Sequence, residues 1–155
     1  MRIFLIIILF PFTFLAQEVE IKHLSDNINS FGAELNFIQI SDSLAYFTVV
    51  SDDEGVLESS IYKSILKADE WGKKKYSKYN SDIYNTANLN SSINEFSFFT
   101  IGNKEFLDCK IVFLDHKKNN GYKVMDAIIK EGFINTQPHL ARHKNQKVLY
   151  FVSDR

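Results

Sequence analysis

An aromatic pair recurs in this chain at one fixed spacing. The pairs are Tyr46-Phe47, Phe98-Phe99 and Tyr150-Phe151, and consecutive pairs lie 52 residues apart (99 − 47 and 151 − 99). The residue after each pair is β-branched, and the residue two positions before each pair is apolar. Self-similarity at a fixed period is the signature of repeat proteins. The chain is therefore predicted to consist of repeated units, each built around one aromatic strand.

The length of the period predicts the type of unit. Propeller blades take about 40–50 residues each, which is close to the observed spacing. Residues 44–50 form a nearly continuous apolar run, as expected for a strand covered on both faces, and the short polar residues 41–43 before it favour a turn. We therefore predict an all-β fold of antiparallel four-stranded propeller blades. The predicted divisions are an N-terminal arm at 17–32 and a partial propeller at 33–155, with repeats near 33–84, 85–134 and 135–155, the last one truncated.

The remaining strands are assigned from β-branched and aromatic runs bounded by turn residues. The predicted strands are 59–66, a fourth strand near Trp71-Gly72, 96–101, 110–115, a fourth strand within 122–131, 138–143 and 148–153. Turns are predicted at 93–95 and at 144–146.

The last repeat carries a resemblance to a known family. Residues 137–155 read Gln-Pro-x-Leu-x-x-x-x-Asn-x-Lys-x-Leu-Tyr-Phe-x-Ser-Asp-Arg. This pattern resembles the WD40-like propeller repeat of bacterial envelope proteins, found in the periplasmic Tol-system propeller and in exported Bacteroidetes proteins that often carry an OmpA-like peptidoglycan-binding domain. The first copy, 34–53, keeps Asp42, Tyr46, Phe47, Ser51 and Asp52 but lacks the proline, and the second, 86–103, keeps Asn94, Phe98 and Phe99.

The resemblance implies a non-enzymatic binding or scaffold module of an exported cell-envelope protein, with envelope proteins or a cell-wall polymer as partners. In such a module the aromatic pairs fill the space between blades. Two alternatives stay open. One is an accessory propeller that precedes a hydrolase or peptidase domain, and the other is a small β-domain that binds glycan through Tyr76, Tyr79 and Tyr84.

The first sixteen residues, MRIFLIIILFPFTFLA, have the pattern of a secretory signal peptide. A basic residue precedes an apolar run that is shorter than the roughly 20 residues of a membrane span. We expect cleavage after Ala16, an exported protein in the periplasm or at the outer membrane, and no transmembrane helix once the signal is removed.

The residue composition excludes several classes of function. Residues 17–155 comprise 139 residues (155 − 16), with 17 basic side chains (18 less Arg2) against 19 acidic ones. A nucleic-acid-binding surface needs a basic excess, so no nucleic-acid partner is expected. Cys109 is the one cysteine in the sequence, so no intrachain disulfide is expected to support the fold.

No residue pattern predicts a catalytic, cofactor or metal site. His139 and His143 have the spacing of metal ligands on a helix, but Pro138 and the strand pattern argue against a helix there. The acidic run 51–55 is interpreted as a hairpin loop, and the basic, tyrosine-rich run 73–82 as a solvated connection rather than an anion site. The pair Asp154-Arg155 is expected to close a blade through a local ion pair.

The length of the chain predicts an incomplete ring. A closed propeller needs roughly 4–8 blades. At 52 residues per repeat, residues 17–155 supply two whole repeats and the opening of a third. The expectation is therefore the N-terminal part of a longer propeller protein.

Export gives the first testable prediction. When the protein is expressed in a Gram-negative host, its mature N-terminus should be Gln17 or lie within about two residues of it. Intact-mass spectrometry of the purified protein decides the point. A mass that retains Met1 would show that the leader is not cleaved.

Overall fold

The computed structural model describes residues 23–91, 95–105, 107–118, 121–126, 128 and 132–155. Every regular element in these ranges is a β-strand, and every strand pairing is antiparallel, which confirms the predicted all-β class. The strands are β1 (Ala33–Ser41), β2 (Leu44–Asp53), β3 (Val56–Lys67), β4 (Glu70–Trp71), β5 (Lys75–Tyr76), β6 (Asn85–Ser91), β7 (Phe96–Gly102), β8 (Cys109–Asp115), β9 (Lys123–Val124), β10 (Asn135–His143) and β11 (Gln146–Ser153).

The strands form three open sheets that follow one another along the chain. The first sheet has the order β1-β2-β3-β4, with β5 also paired to β3. The second has the order β6-β7-β8-β9, and the third is the hairpin β10-β11. Apart from β5, strands that are neighbours in sequence within a sheet are also paired. Two-residue turns such as Glu54-Gly55, where both residues have positive φ, suit the twist of antiparallel hairpins.

The first strand of every sheet carries a β-bulge at an equivalent position. The register shifts lie between Leu35 and Ile38 in β1, between Ala87 and Asn90 in β6, and between Thr136 and His139 in β10. Each bulge contains one residue with positive φ: Asn36 (54°), Asn88 (56°) and Gln137 (52°). An extra residue bends a strand and increases its twist. The three sheets therefore share one local distortion as well as one strand order.

The first two sheets pack face to face around an aromatic contact. Tyr79, which lies between β5 and β6, is 4 % exposed and has its ring 5.5 Å from Tyr46 of β2 and 5.6 Å from Phe99 of β7. Ile61 of β3 and Val112 of β8 are fully buried in the same cluster. Side chains alternate across a strand, so the other aromatic residue of each pair lies on the opposite face.

The opposite face of the first sheet is covered by the segment that precedes it. Phe47 and Val49 pack there against Ile28, which is 1 % exposed, and against the partly buried Leu24 and Trp71. The backbone N–H of Lys74 donates to the carbonyl of Asn27 over 3.0 Å, which fixes this segment to the strand edge. The described part of the predicted arm is thus packed onto the sheet.

The third sheet repeats the packing of the second. Strand β10 contacts β6, β7 and β8, just as β6 contacts β1, β2 and β3. On the face of the second sheet that turns away from the first, Phe98 and Ile111 are buried, and Phe98 lies 5.3 Å from Phe113. The outer face of β11 is uncovered, since Tyr150 is 53 % and Val152 is 54 % exposed.

Some sequence-predicted boundaries differ from the structure. Strand β3 begins three residues before the predicted start, because the tight turn at Glu54-Gly55 lets the hairpin pair up to the turn. Likewise, only Lys144 and Asn145 form the last turn, and Gln146 already pairs with His143. Within 122–131 the described strand is Lys123–Val124. The predicted signal peptide and the turn residues 93–94 lie outside the described residues.

The packing of Phe99 yields a stability prediction. Its side chain is 1 % exposed between the first two sheets, so Phe99→Ala should lower the free energy of unfolding by about 3–5 kcal/mol. Urea denaturation of the mature protein measures this loss. Tyr150→Ala is the matched control, since its ring is exposed and the change should stay within about 0.5 kcal/mol. A loss below about 1 kcal/mol for Phe99→Ala would contradict the described packing.

Candidate functional site

The three bulges face one open groove of about 500 Å³. It is lined by residues of β1, β6 and β10, so each of the three sheets contributes its first strand. The lining residues are Leu35, Asn36, Phe37, Ile38, Asn88, Leu89, Asn90, Gln137, Pro138 and His139. Lysine, arginine and carboxylate side chains are absent from this described lining. The groove therefore combines amide groups with apolar and aromatic walls.

Part of the amide chemistry holds the sheets together. The Asn36 Nδ2 group donates to the carbonyl of Leu89 over 3.2 Å, which links the first sheet to the second. The Asn90 Oδ1 atom accepts from the backbone N–H of Leu140 over 3.2 Å, which links the second sheet to the third. Side-chain hydrogen bonds to an irregular backbone satisfy groups that a bulge leaves unpaired.

The rest of the groove is open to a ligand. Gln137 and His139 are exposed, and the apolar wall includes Leu35, 51 % exposed, and Phe37, 42 % exposed. Phe37 is held in place by stacking on Phe47 at 5.9 Å. An extended polymer with alternating polar and apolar groups would find both kinds of contact here, because amides donate and accept hydrogen bonds.

A serine–histidine contact between the sheets resembles a catalytic dyad. The Ser97 Oγ atom lies 2.9 Å from Nε2 of His116, 3.0 Å from the Tyr79 hydroxyl and 2.7 Å from Oγ of Ser91. However, Ser97 is fully buried, so no substrate reaches its hydroxyl. Burial and then the nearby charge of Lys78 lower the pKa of His116 below its ordinary value. The group is therefore interpreted as a buried hydrogen-bond network.

The aromatic pairs of the first two sheets lie in the packed layers and not at the groove. Phe47 and Phe99 are each 1 % exposed, and Tyr46 and Phe98 are each 7 % exposed. Burial, followed by the proximity of Tyr79, raises the pKa of Tyr46. In the third sheet Phe151 is partly buried, beneath the guanidinium of Arg155 at 5.4 Å.

The two histidines of β10 do not form a metal site. They lie four residues apart on a strand, which separates their backbones by about 13 Å at the usual rise per residue. Among the described residues there is no cluster of three or more metal-ligating side chains. The acidic run 51–55 is a hairpin, as predicted, in which Oδ1 of Asp52 accepts from the N–H of Gly55 over 2.8 Å.

The tyrosine-rich run 73–82 is largely structural. Tyr79 is buried in the core, so it does not contribute to the glycan surface that the alternative interpretation assigned to Tyr76, Tyr79 and Tyr84. Lys74 forms an ion pair of 3.1 Å with Glu34. Burial by itself raises the pKa of Glu34. The hydrogen bonds from Ser30 and Lys74 outweigh this effect, so the pKa lies below its ordinary value. The sequence pattern missed these roles because it does not show which side chains turn inward.

The chain terminus and the cysteine also have structural roles. The Asp154 Oδ1 atom accepts from the backbone N–H of Ile134 over 2.7 Å, which closes the last hairpin. Arg155 instead donates from Nε to Oγ of Ser153 over 3.1 Å, so the expected Asp154-Arg155 ion pair is replaced by these contacts. Cys109 is 3 % exposed, and burial followed by the charge of Asp108 raises its pKa, which disfavours the reactive thiolate.

The chain matches no protein-family model, no curated protein and no solved structure. Within the described ranges, no helix has the length and apolar character needed to cross a membrane.

His116 gives a pH prediction with a definite sign. Its pKa is lower in the folded state than the ordinary value of 6.5, so the unfolded chain binds more protons as the pH falls. The free energy of unfolding should therefore decrease as the pH is lowered from about 7 to about 5. Urea denaturation at a series of pH values measures this slope. His116→Asn should reduce the slope of the free energy of unfolding against pH. An unchanged slope in this variant would show that other groups cause the loss of stability.

Proposed function

We propose that this chain is a non-enzymatic binding module of the β-propeller type, exported to the cell envelope, with its ligand in the bulge groove. The observation that carries the proposal is the alignment of three equivalent bulges, at Asn36, Asn88 and Gln137, along one groove. Bulges are over-represented next to functional sites, where they re-aim side chains. A ligand along this groove contacts all three sheets.

The propeller assignment is supported by the way in which successive sheets meet. The first strand of the second sheet packs on the face of the first sheet, and the first strand of the third sheet packs on the second in the same manner. Radial repetition of four-stranded antiparallel sheets is the architecture of propellers. The Tyr150 and Val152 side chains occupy the face on which a following blade would pack.

The chemistry of the groove favours a neutral or mixed polymer as ligand. An anionic partner such as a nucleic acid would require lysine or arginine, and the described lining has neither. Amides and an imidazole beside Phe37 suit an extended peptide of an envelope protein or a cell-wall polymer. The signal-peptide pattern of residues 1–16 supports export to the compartment that holds both.

Site-specific photo-crosslinking tests this function. A photoreactive phenylalanine analogue is placed at position 137 in the groove, and the protein is expressed with its leader in a Gram-negative host. If the ligand is an envelope protein, irradiation should give one predominant adduct. If the ligand is a cell-wall polymer, the irradiated protein should instead be retained on purified cell-wall sacculi in co-sedimentation. Position 57 on β3 is the matched control, because Leu57 is similarly exposed at 49 % but lies outside the groove.

The comparison of the two positions decides the outcome. Adducts or sacculus retention from position 137 that are absent from position 57 support a ligand in the groove. Equal labelling at both positions, or none at either, would contradict the proposal.

A further inference from the structure

The outer edge of β3 is irregular where it pairs with two short strands. Leu66 pairs with Trp71 of β4, and Lys63 pairs with Lys75 of β5. Between these pairings β3 advances by three residues (66 − 63), whereas the returning chain advances by four (75 − 71). The returning chain therefore has one extra residue, as in a β-bulge, and bulges are over-represented next to functional sites.

A cavity of about 170 Å³ opens beside this irregular segment. Its volume is roughly ten times the space that one water molecule requires. The Ser64 Oγ atom donates to the carbonyl of Gly72 over 2.6 Å, which holds the returning chain at the cavity wall. The lining residues are Lys63, Ser64, Ile65, Lys67, Gly72, Lys73 and Lys75.

Four lysines line this cavity, and its described lining contains no aspartate or glutamate. None of the four ammonium groups forms an ion pair with a carboxylate of the described residues. Lys74 differs from its two neighbours in the run 73–75, because it pairs with Glu34 at 3.1 Å. Lys67 lies opposite Glu70 in the register, but Glu70 is not part of the described lining. The cavity therefore carries an excess of positive charge.

Lys63 has no negative charge at any neighbouring position of the sheet. Its partners in the register are Tyr46 of β2 and Lys75 of β5. Because side chains alternate along a strand, its neighbours on the same face of β3 are Ile61 and Ile65. Directly opposite residues have Cβ atoms about 5 Å apart on one face, and like charges in such a pair destabilise a sheet. An anion between the two ammonium groups would remove this repulsion.

The type of cation in the cavity favours a phosphoryl group. The planar fork of arginine matches a carboxylate, and the described lining has no arginine. Lysine instead supplies a compact charge with three donors, and it is a regular phosphate ligand in proteins. A tetrahedral phosphoryl group directs its oxygens in several directions, so it can accept from ammonium groups on two different strands. A planar carboxylate has only two oxygens to share between them.

We infer that this lysine cavity binds a phosphoryl anion, either free in solution or as the headgroup of a lipid. One phosphoryl group would lie between Lys63 and Lys75, with Lys67 and Lys73 beside it. The sequence run 73–82 contains only two of these lysines, and the pairing with β3 adds the other two. The cavity shares no lining residue with the bulge groove, so the inference stands or fails independently of the proposed function.

Isothermal titration calorimetry of the mature protein with sodium diphosphate tests the inference. At low ionic strength, where exposed charges are least screened, diphosphate should bind with a Kd below about 1 mM. Lys63→Gln and Lys75→Gln should each raise this Kd about fivefold, because each removes one charged donor. Lys75→Gln should not lower the Tm of the ligand-free protein, because it removes a like-charge pair. Its loss of binding is then not caused by misfolding.

Co-sedimentation with vesicles distinguishes the two sources of the phosphoryl group. The vesicles contain phosphatidylcholine with or without phosphatidic acid, whose headgroup is a phosphomonoester. Binding that requires phosphatidic acid and is reduced in Lys75→Gln identifies a lipid headgroup as the source. Binding of diphosphate without binding to these vesicles identifies a soluble ligand. Either result supports the inference.

Two controls separate this site from a general attraction of anions. Lys144→Gln removes the same charge from the turn of the last hairpin, outside the cavity, and should leave the Kd for diphosphate unchanged. Citrate carries carboxylates instead of phosphoryl groups and should bind at least about tenfold more weakly at equal ionic strength. Failure of both diphosphate and the vesicles to bind, equal binding of citrate, or an equal loss in Lys144→Gln would overturn the inference.

Discussion

The structure depends on the aromatic contact between successive sheets. Tyr79 lies on the segment that connects the first two sheets, and its ring packs between those of Tyr46 and Phe99. Its hydroxyl lies 3.0 Å from the buried Ser97, so the same residue fills the layer and satisfies its polar group. A buried tyrosine needs such a partner, because an unpaired hydroxyl would offset the gain from burial.

The aromatic pair serves two interfaces at once. Because side chains alternate, Tyr46 faces the second sheet while Phe47 faces the N-terminal segment that carries Ile28. The same alternation places Phe99 against the first sheet and its neighbour Phe98 on the opposite face. A strand in the middle of such a stack therefore needs two large apolar residues in sequence, which explains why the repeated feature is a pair.

The proposed binding groove lies where this packing is incomplete. At the bulged edge of the sheets, the amide side chains of the first strands line a groove, and those of Asn36 and Asn90 also bond to the next sheet. Apolar layers hold the sheets together, whereas the edges present polar groups with fewer partners, and fixed polar groups give a binding site its specificity.

The sequence alone determined the all-β class, most of the strands and the position of the aromatic pairs, because period-two alternation and turn residues are local signals. The resemblance to WD40-like repeats stays a prediction. Only the tertiary structure decided that Gln137 takes the place of Asn36 and Asn88. The hairpin of β10 and β11 is longer than the equivalent hairpins of the first two sheets, so before its turn the 52-residue spacing no longer aligns equivalent residues. It also decided that Tyr79 is core while Tyr76 and Tyr84 are exposed. These outcomes depend on which faces meet between residues far apart in sequence, and no local pattern contains that information.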